Sequence, residues 1–172
     1  NNVLSGISAQ GIRVTARDDA GSSFGQSVSV TGNTIGNTGD DGIHIATERD
    51  SASSAGVAAI AVDGNSLTSI GGHGILVRAE LQSATLGETS FEINSNSVVH
   101  ASSVGIYVVN RIDAGGVLTQ GVSLANALID DNFVSDTGSA GIFVRNRVSG
   151  AGATLSQALT IDPNTVQHVG VA

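Results

Sequence analysis

Apolar and polar residues alternate in short bursts along this chain. Val28-Ser29-Val30, Ile60-Ala61-Val62, Phe91-Glu92-Ile93 and Leu159-Thr160-Ile161 each set apolar side chains two apart, the spacing of a half-buried strand, and Ala127-Leu128-Ile129 is a weaker version. An asparagine follows each burst, and two residues beyond it stands another apolar side chain: Leu4, Ile35, Leu67, Val98, Val134 or Val166. A third apolar pair comes later: Ile12 and Val14, Ile43 and Ile45, Ile75 and Val77, Ile106 and Val108, Ile142 and Val144. No stretch carries helical periodicity. The pattern predicts about three short strands per unit and no helix.

The units recur. Asn2, Asn33, Asn65, Asn96, Asn132 and Asn164 are separated by 31, 32, 31, 36 and 32 residues. Each of the first five is followed nine residues later by a glycine (Gly11, Gly42, Gly74, Gly105, Gly141), and every such glycine by isoleucine. Periods of this length signal stacked coils that bury a shared core. The expected fold is all-β, a right-handed parallel β-helix of about five coils of 31–36 residues, spanning 1–172 as one segment. The six asparagines should form an internal hydrogen-bonded ladder at one corner, with left-handed backbone geometry at the asparagine itself. Glycine should occupy the second corner, where a Cβ would clash.

Coil length varies only between the glycine and the next asparagine, at 22, 23, 22, 27 and 23 residues. Polar connections such as Ala20-Gly21-Ser22-Ser23 and Ser149-Gly150-Ala151-Gly152 should project there as long loops or hairpins on one edge, with the extra residues of the fourth coil near Ala114-Gly115-Gly116. The chain opens at one ladder asparagine and neither end reads as a cap, so an excerpt from a longer repeat protein is expected.

Composition narrows the function classes. The net charge is −8, all basic residues are arginine, and cysteine is absent. A nucleic-acid partner is not expected, because no basic stripe is visible. Without lysine there is no Schiff-base or phosphate-loop chemistry, and without cysteine no disulfide or thiolate metal site. No apolar run is long enough to span a membrane. An anionic ligand would meet few positive charges beyond Arg13, Arg78 and Arg145.

The wording G-N-T-I … G-D-D-G-I-H-I, Gly32 to Ile45, resembles the right-handed parallel β-helix superfamily, which includes pectate-lyase-like and polygalacturonase-like enzymes, phage tailspikes, and passenger or stalk regions of bacterial surface proteins. With no cysteine, few aromatics and much Ser, Gly and Ala, the chain looks most like a surface-protein or autotransporter passenger. That resemblance implies a secreted or cell-surface bacterial setting, a structural and adhesive role as rigid spacer, and neighbouring coils, surface glycan or protein as partners. The implied alternatives are a polygalacturonase-like enzyme and a glycan-binding tailspike-like fragment that would trimerise. Polygalacturonases carry Asp-Asp and Gly-His-Gly on neighbouring coils, matched here by Asp40-Asp41 and Gly72-His73-Gly74. Gln10 stands where that pattern has an Asp, and Tyr107 and Val109 where it has Arg and Lys.

Several columns carry candidate chemistry. Asp41 and His73 both lie eight residues after a ladder asparagine and should stack, with His44 facing outward nearby. His100, Asp136 and His168 share the position four residues after the ladder asparagine, a set that could hold zinc but spans too much height for one ion. Asp63, Asn94, Asp130 and Asp162 form another column; no cofactor is expected, and calcium between Asp130 and Asp162 is the ion it would take. Arg17 and Glu48, and Glu80 and Arg111, should pair across coils. Leu76, Tyr107 and Phe143 should point outward beside Arg78 and Arg145 as a candidate ligand-binding or subunit surface.

Overall fold

A computed structural model describes residues 1–18, 24–50, 55–82, 84–120 and 127–170. The strands run β1 (Val3–Ile7), β2 (Ile12–Asp18) and β3 (Phe24–Thr31), then β4 (Thr34–Thr38), β5 (Ile43–Arg49) and β6 (Ala55–Asp63), then β7 (Ser66–Ile70), β8 (Ile75–Gln82) and β9 (Thr85–Asn94). The next coil holds β10 (Ser97–Ala101), β11 (Ile106–Asp113), β12 (Val117–Gln120) and β13 (Ala127–Asp130). The last strands are β14 (Phe133–Thr137), β15 (Ile142–Ser149), β16 (Thr154–Gln157), β17 (Thr160–Ile161) and β18 (Thr165–Val169).

Among the described residues, strands pair only with their counterparts in neighbouring coils, always in parallel. The first sheet is ordered β1-β4-β7-β10-β14-β18 and the second β15-β11-β8-β5-β2, while the third combines β3, β6 and β9 with the split strands β12/β13 and β16/β17. The chain is therefore an all-β parallel solenoid. Like residues stack on like because the repeat fixes the register: Ile12, Ile43, Ile75, Ile106 and Ile142 form one inner column. Ile35, Leu67, Val98 and Val134 from the first sheet and Val30, Val62, Phe91, Ile93 and Ile129 from the third meet them in a single core.

The ladder runs the whole height. From Asn33 onward, each ladder Oδ1 accepts the backbone N–H and the Nδ2 of the preceding ladder residue, for example from Asn65 to Asn96 at 3.0 and 2.9 Å. The same arrangement joins Asn2 to Asn33, Asn33 to Asn65, Asn96 to Asn132 and Asn132 to Asn164. Nδ2 of Asn96 also donates to the carbonyls of Val62 and Asn94, both at 2.9 Å, so a fully buried amide keeps its partners.

Left-handed geometry falls elsewhere than expected. The residue before the asparagine takes it in Gly32, Gly64, Ser95 and Asp131, and so does the residue four after it in Gly6, Asn37, Ser69, His100, Asp136 and His168. Asn, Asp, His and Gly tolerate that region best, which accounts for the polar composition of the second column. The corner glycines answer a different need. A Cβ on Gly42, Gly74 or Gly105 would lie 2.5–2.7 Å from the carbonyl oxygen of the next corner glycine and would meet Leu67, Val98 or Val134.

Where described, the connections are tight turns. Ala114 N–H bonds to Ser149 O and Gly116 N–H to Asp113 O, stacking the turn after β11 on the turn after β15. The extra length of the fourth coil lies between Gln120 and Ala127, since Gln120 pairs with Thr89 while Ala127 already pairs with Phe91. The segment responsible, 121–126, and the expected loop at 20–23 lie outside the described residues.

The core also contains polar groups. Asn110 donates to Gln120 at 3.0 Å and to Asn146 at 2.9 Å, and Gln157 donates to Gln120 at 2.8 Å, a second amide network bridging the second and third sheets. Arg49, 0% exposed, pairs with buried Asp18 at 3.2 Å and donates to Thr85 O at 2.6 Å.

Candidate functional site

The corner between the first and second sheets is held by backbone bonds from coil to coil. Gly11 N–H bonds to Asp41 O, Gly42 N–H to His73 O and Gly74 N–H to Val104 O, at 2.9–3.0 Å. Asp41 and His73 therefore stack on consecutive coils, as their spacing predicts. Asp41 is 4% exposed, and its carboxylate is fully engaged. Oδ1 accepts the His73 backbone N–H at 2.8 Å and lies 2.9 Å from His73 Nδ1, while Oδ2 lies 2.9 Å from His44 Nδ1. Gly72 makes room: a Cβ there would come within 2.7 Å of Asp41 Oδ1.

Burial by itself would raise the Asp41 pKa. The bonds from His44, the His73 ring and the His73 backbone outweigh it and hold the carboxyl well below the ordinary carboxylate range. The ionised form of Asp41 is therefore favoured in the folded chain. Asp40 points outward and accepts a bond from Gln10 Nε2 at 2.6 Å.

The far side of His73 faces the next coils. Its Nε2 is 3.4 Å from Ser103 Oγ, and its ring stacks on Tyr107 with centroids 5.2 Å apart. Tyr107 in turn stacks on Phe143 at 5.2 Å and an interplanar angle of 14°. Phe143, on the outermost strand of the second sheet, is 43% exposed. Leu76 belongs to the same outward column, yet it is only 7% exposed because it lies between His44 and Tyr107.

Six of the chain's seven arginines stand on the outward face of the second sheet. Arg78 and Arg145 were expected there, and Arg17 and Arg111 in a column paired with Glu48 and Glu80; the register sets all four on one face together with Arg13 and Arg147. Some are neutralised locally: Arg17 pairs with Asp50 at 3.3 Å, Arg78 with Glu80, and Arg111 with Asp113 at 2.8 Å and Glu80 at 4.0 Å. Arg13, Arg145 and Arg147 make no ion pair among the described residues. An acidic chain thus carries one locally basic face, edged by the stacked rings of His73, Tyr107 and Phe143.

The other columns are less concentrated. His100 and His168 flank Asp136 at 4.0 and 3.5 Å, all of them solvent-accessible, beside a shallow depression lined by Thr38, Ser69, Ile70, Gly71, His100 and Ser102. Among the described residues no three His, Asp or Glu side chains converge as a metal site, either here or around Asp130 and Asp162.

Sequence reasoning did not assign roles to Ser103 or to the Arg49–Asp18 pair, and it placed His44 near Asp41 without bonding them. The register could have exposed Arg49 and Asp18, which share an inward column with Leu81 and Ile112. Comparison of the chain with protein-family models, curated proteins and solved structures returned no match.

Proposed function

We propose that this chain is a structural and adhesive β-helix module of a secreted or cell-surface bacterial protein, a rigid spacer whose second sheet meets an anionic glycan. The observation that carries this reading is the concentration of Arg13, Arg17, Arg78, Arg111, Arg145 and Arg147 on one face next to the His73–Tyr107–Phe143 stack. Guanidinium forks match carboxylates. Rigidity follows from the ladder and from inter-coil pairing, which leave the spacing of these groups fixed.

The polygalacturonase-like alternative requires a carboxyl that donates a proton to the leaving group. Asp41, held ionised by three donors, fits an orienting role instead.

Affinity electrophoresis through gels containing a polyuronate or a neutral glucan tests the proposal. Retardation by the polyuronate only, weakened by salt and by Arg145→Ala with Arg147→Ala, is the expected result. Equal mobility in both gels would exclude the anionic-glycan face.

A further inference from the structure

We propose that Ser103, His73 and Asp41 form a nucleophilic triad able to cleave carboxylic esters. Such chemistry needs a hydroxyl beside a base and a third group that orients the base. All three elements are present on three successive coils. Ser103 Oγ lies 3.4 Å from His73 Nε2, within the looser range of a site without substrate, and His73 Nδ1 lies 2.9 Å from Asp41 Oδ1.

The ionised Asp41 carboxylate selects the proton on His73 Nδ1, so in the neutral imidazole Nε2 is the nitrogen that presents a lone pair to the Ser103 hydroxyl. Stacking on Tyr107 holds the imidazole plane, and the His73 backbone N–H on the same Asp41 oxygen fixes its height. The serine is fixed as well: Ser103 N–H bonds to Gly72 O at 3.1 Å, and Ser139 N–H to Ser103 O at 3.0 Å. Ser103 and His73 are both partly exposed, so an ester can reach them, whereas Asp41 is covered. A structural ladder needs none of this arrangement, since Val104 and Ala140 occupy the His73 position in the next two coils.

In the reaction, Ser103 Oγ attacks the ester carbonyl carbon as its proton passes to His73 Nε2. The carbon–oxygen bond to the alcohol breaks, and His73 returns the proton to the departing oxygen. Water, deprotonated by His73, then attacks the acyl carbon; its bond to Ser103 Oγ breaks, His73 returns the proton to Oγ, and the acid leaves. One ester and one water become one acid and one alcohol. Nearby amides are already committed, Ser103 N–H to Gly72 and Gly105 N–H to Ala140, so neither is free to stabilise the oxyanion. Loss of one such donor lowers turnover by roughly a hundredfold or more. The expected signature is therefore a reactive serine with slow turnover.

The test is labelling of the intact chain with an alkyl fluorophosphonate, with the adduct mapped by peptide mass spectrometry. Wild type should carry the adduct on Ser103. His73→Gln should abolish it, and Ser103→Ala, with unchanged melting temperature, should lower short-chain ester hydrolysis by about a hundredfold or more. Absence of a Ser103 adduct under conditions that label a known serine hydrolase would overturn the triad. Undiminished hydrolysis by folded Ser103→Ala would do the same, since it would assign the activity to histidine alone. Glycan binding by the arginine face is measured separately, so either proposal can fail without the other.

Discussion

One oxygen of Asp41 grips His73 twice, accepting the backbone N–H at 2.8 Å and facing ring Nδ1 at 2.9 Å. The other oxygen holds His44, so one buried carboxylate joins two coils and two imidazoles. A corner that elsewhere contains Gln10, Val104 and Ala140 becomes a polar cluster in just these two coils.

The depressed pKa of Asp41 has a definite sign. Its ionised form is favoured in the folded state, so the stabilisation is fully present above about pH 4, the unfolded carboxylate value, and is lost as pH falls below it toward the folded value. Asp41→Asn should cost about 2 kcal/mol at pH 7, and the difference from wild type should shrink as pH falls below about 4. Thermal melts of both proteins from neutral to acid pH check this; a constant difference would contradict it.

The ladder predicts a graded response. Asn96→Ala removes the acceptor of two Asn65 donors and the donor to Val62 O and Asn94 O, all within the core. A loss of about 3 kcal/mol is expected, against less than about 1 kcal/mol for Asn2→Ala at the exposed end. Urea denaturation of the two variants would show the ordering.

Glycine content should matter by position. A Cβ at Gly74 would sit 2.5 Å from Gly105 O, while one at Gly25 meets nothing within 4 Å. Gly74→Ala is expected to destabilise by about 3 kcal/mol, and Gly25→Ala to be neutral or to stabilise by up to about 1 kcal/mol. Equal melting temperatures for the pair would refute the close-approach account.

Tyr107 is the only tyrosine, and there is no tryptophan. Its emission therefore reports on the stack between His73 and Phe143. Titration with a polyuronate should change tyrosine fluorescence, and Arg145→Ala should shift the midpoint to higher ligand concentration. A neutral glucan should leave the signal flat.

Much of the fold was legible because a solenoid writes its geometry into sequence spacing. Asn33, Asn65 and Asn96 recur at nearly constant intervals, and so do the Gly-Ile pairs, since coil height and width are fixed by pairing and packing. Left-handed geometry was assigned to the asparagines because asparagine tolerates it; the structure puts it on Gly32, Gly64, Ser95 and Asp131, and the amide is needed for bonding instead. Spacing also predicted that Asp41 and His73 stack. It could not reveal that His44 turns back to Asp41 or that Ser103 reaches His73, because those contacts depend on side-chain direction at a corner. Bonding between Asn110 and Gln120 was hidden for another reason: it crosses a turn whose length varies between coils.

Hydrogen exchange with and without a polyuronate tests the arginine face most directly. Added protection is expected only on the second sheet, in peptides covering 12–18, 75–82, 106–113 and 142–149, the strands that carry Arg13, Arg17, Arg78, Arg111, Arg145 and Arg147. Protection on the first or third sheet instead, or none at ligand concentrations that saturate the fluorescence change, would contradict it.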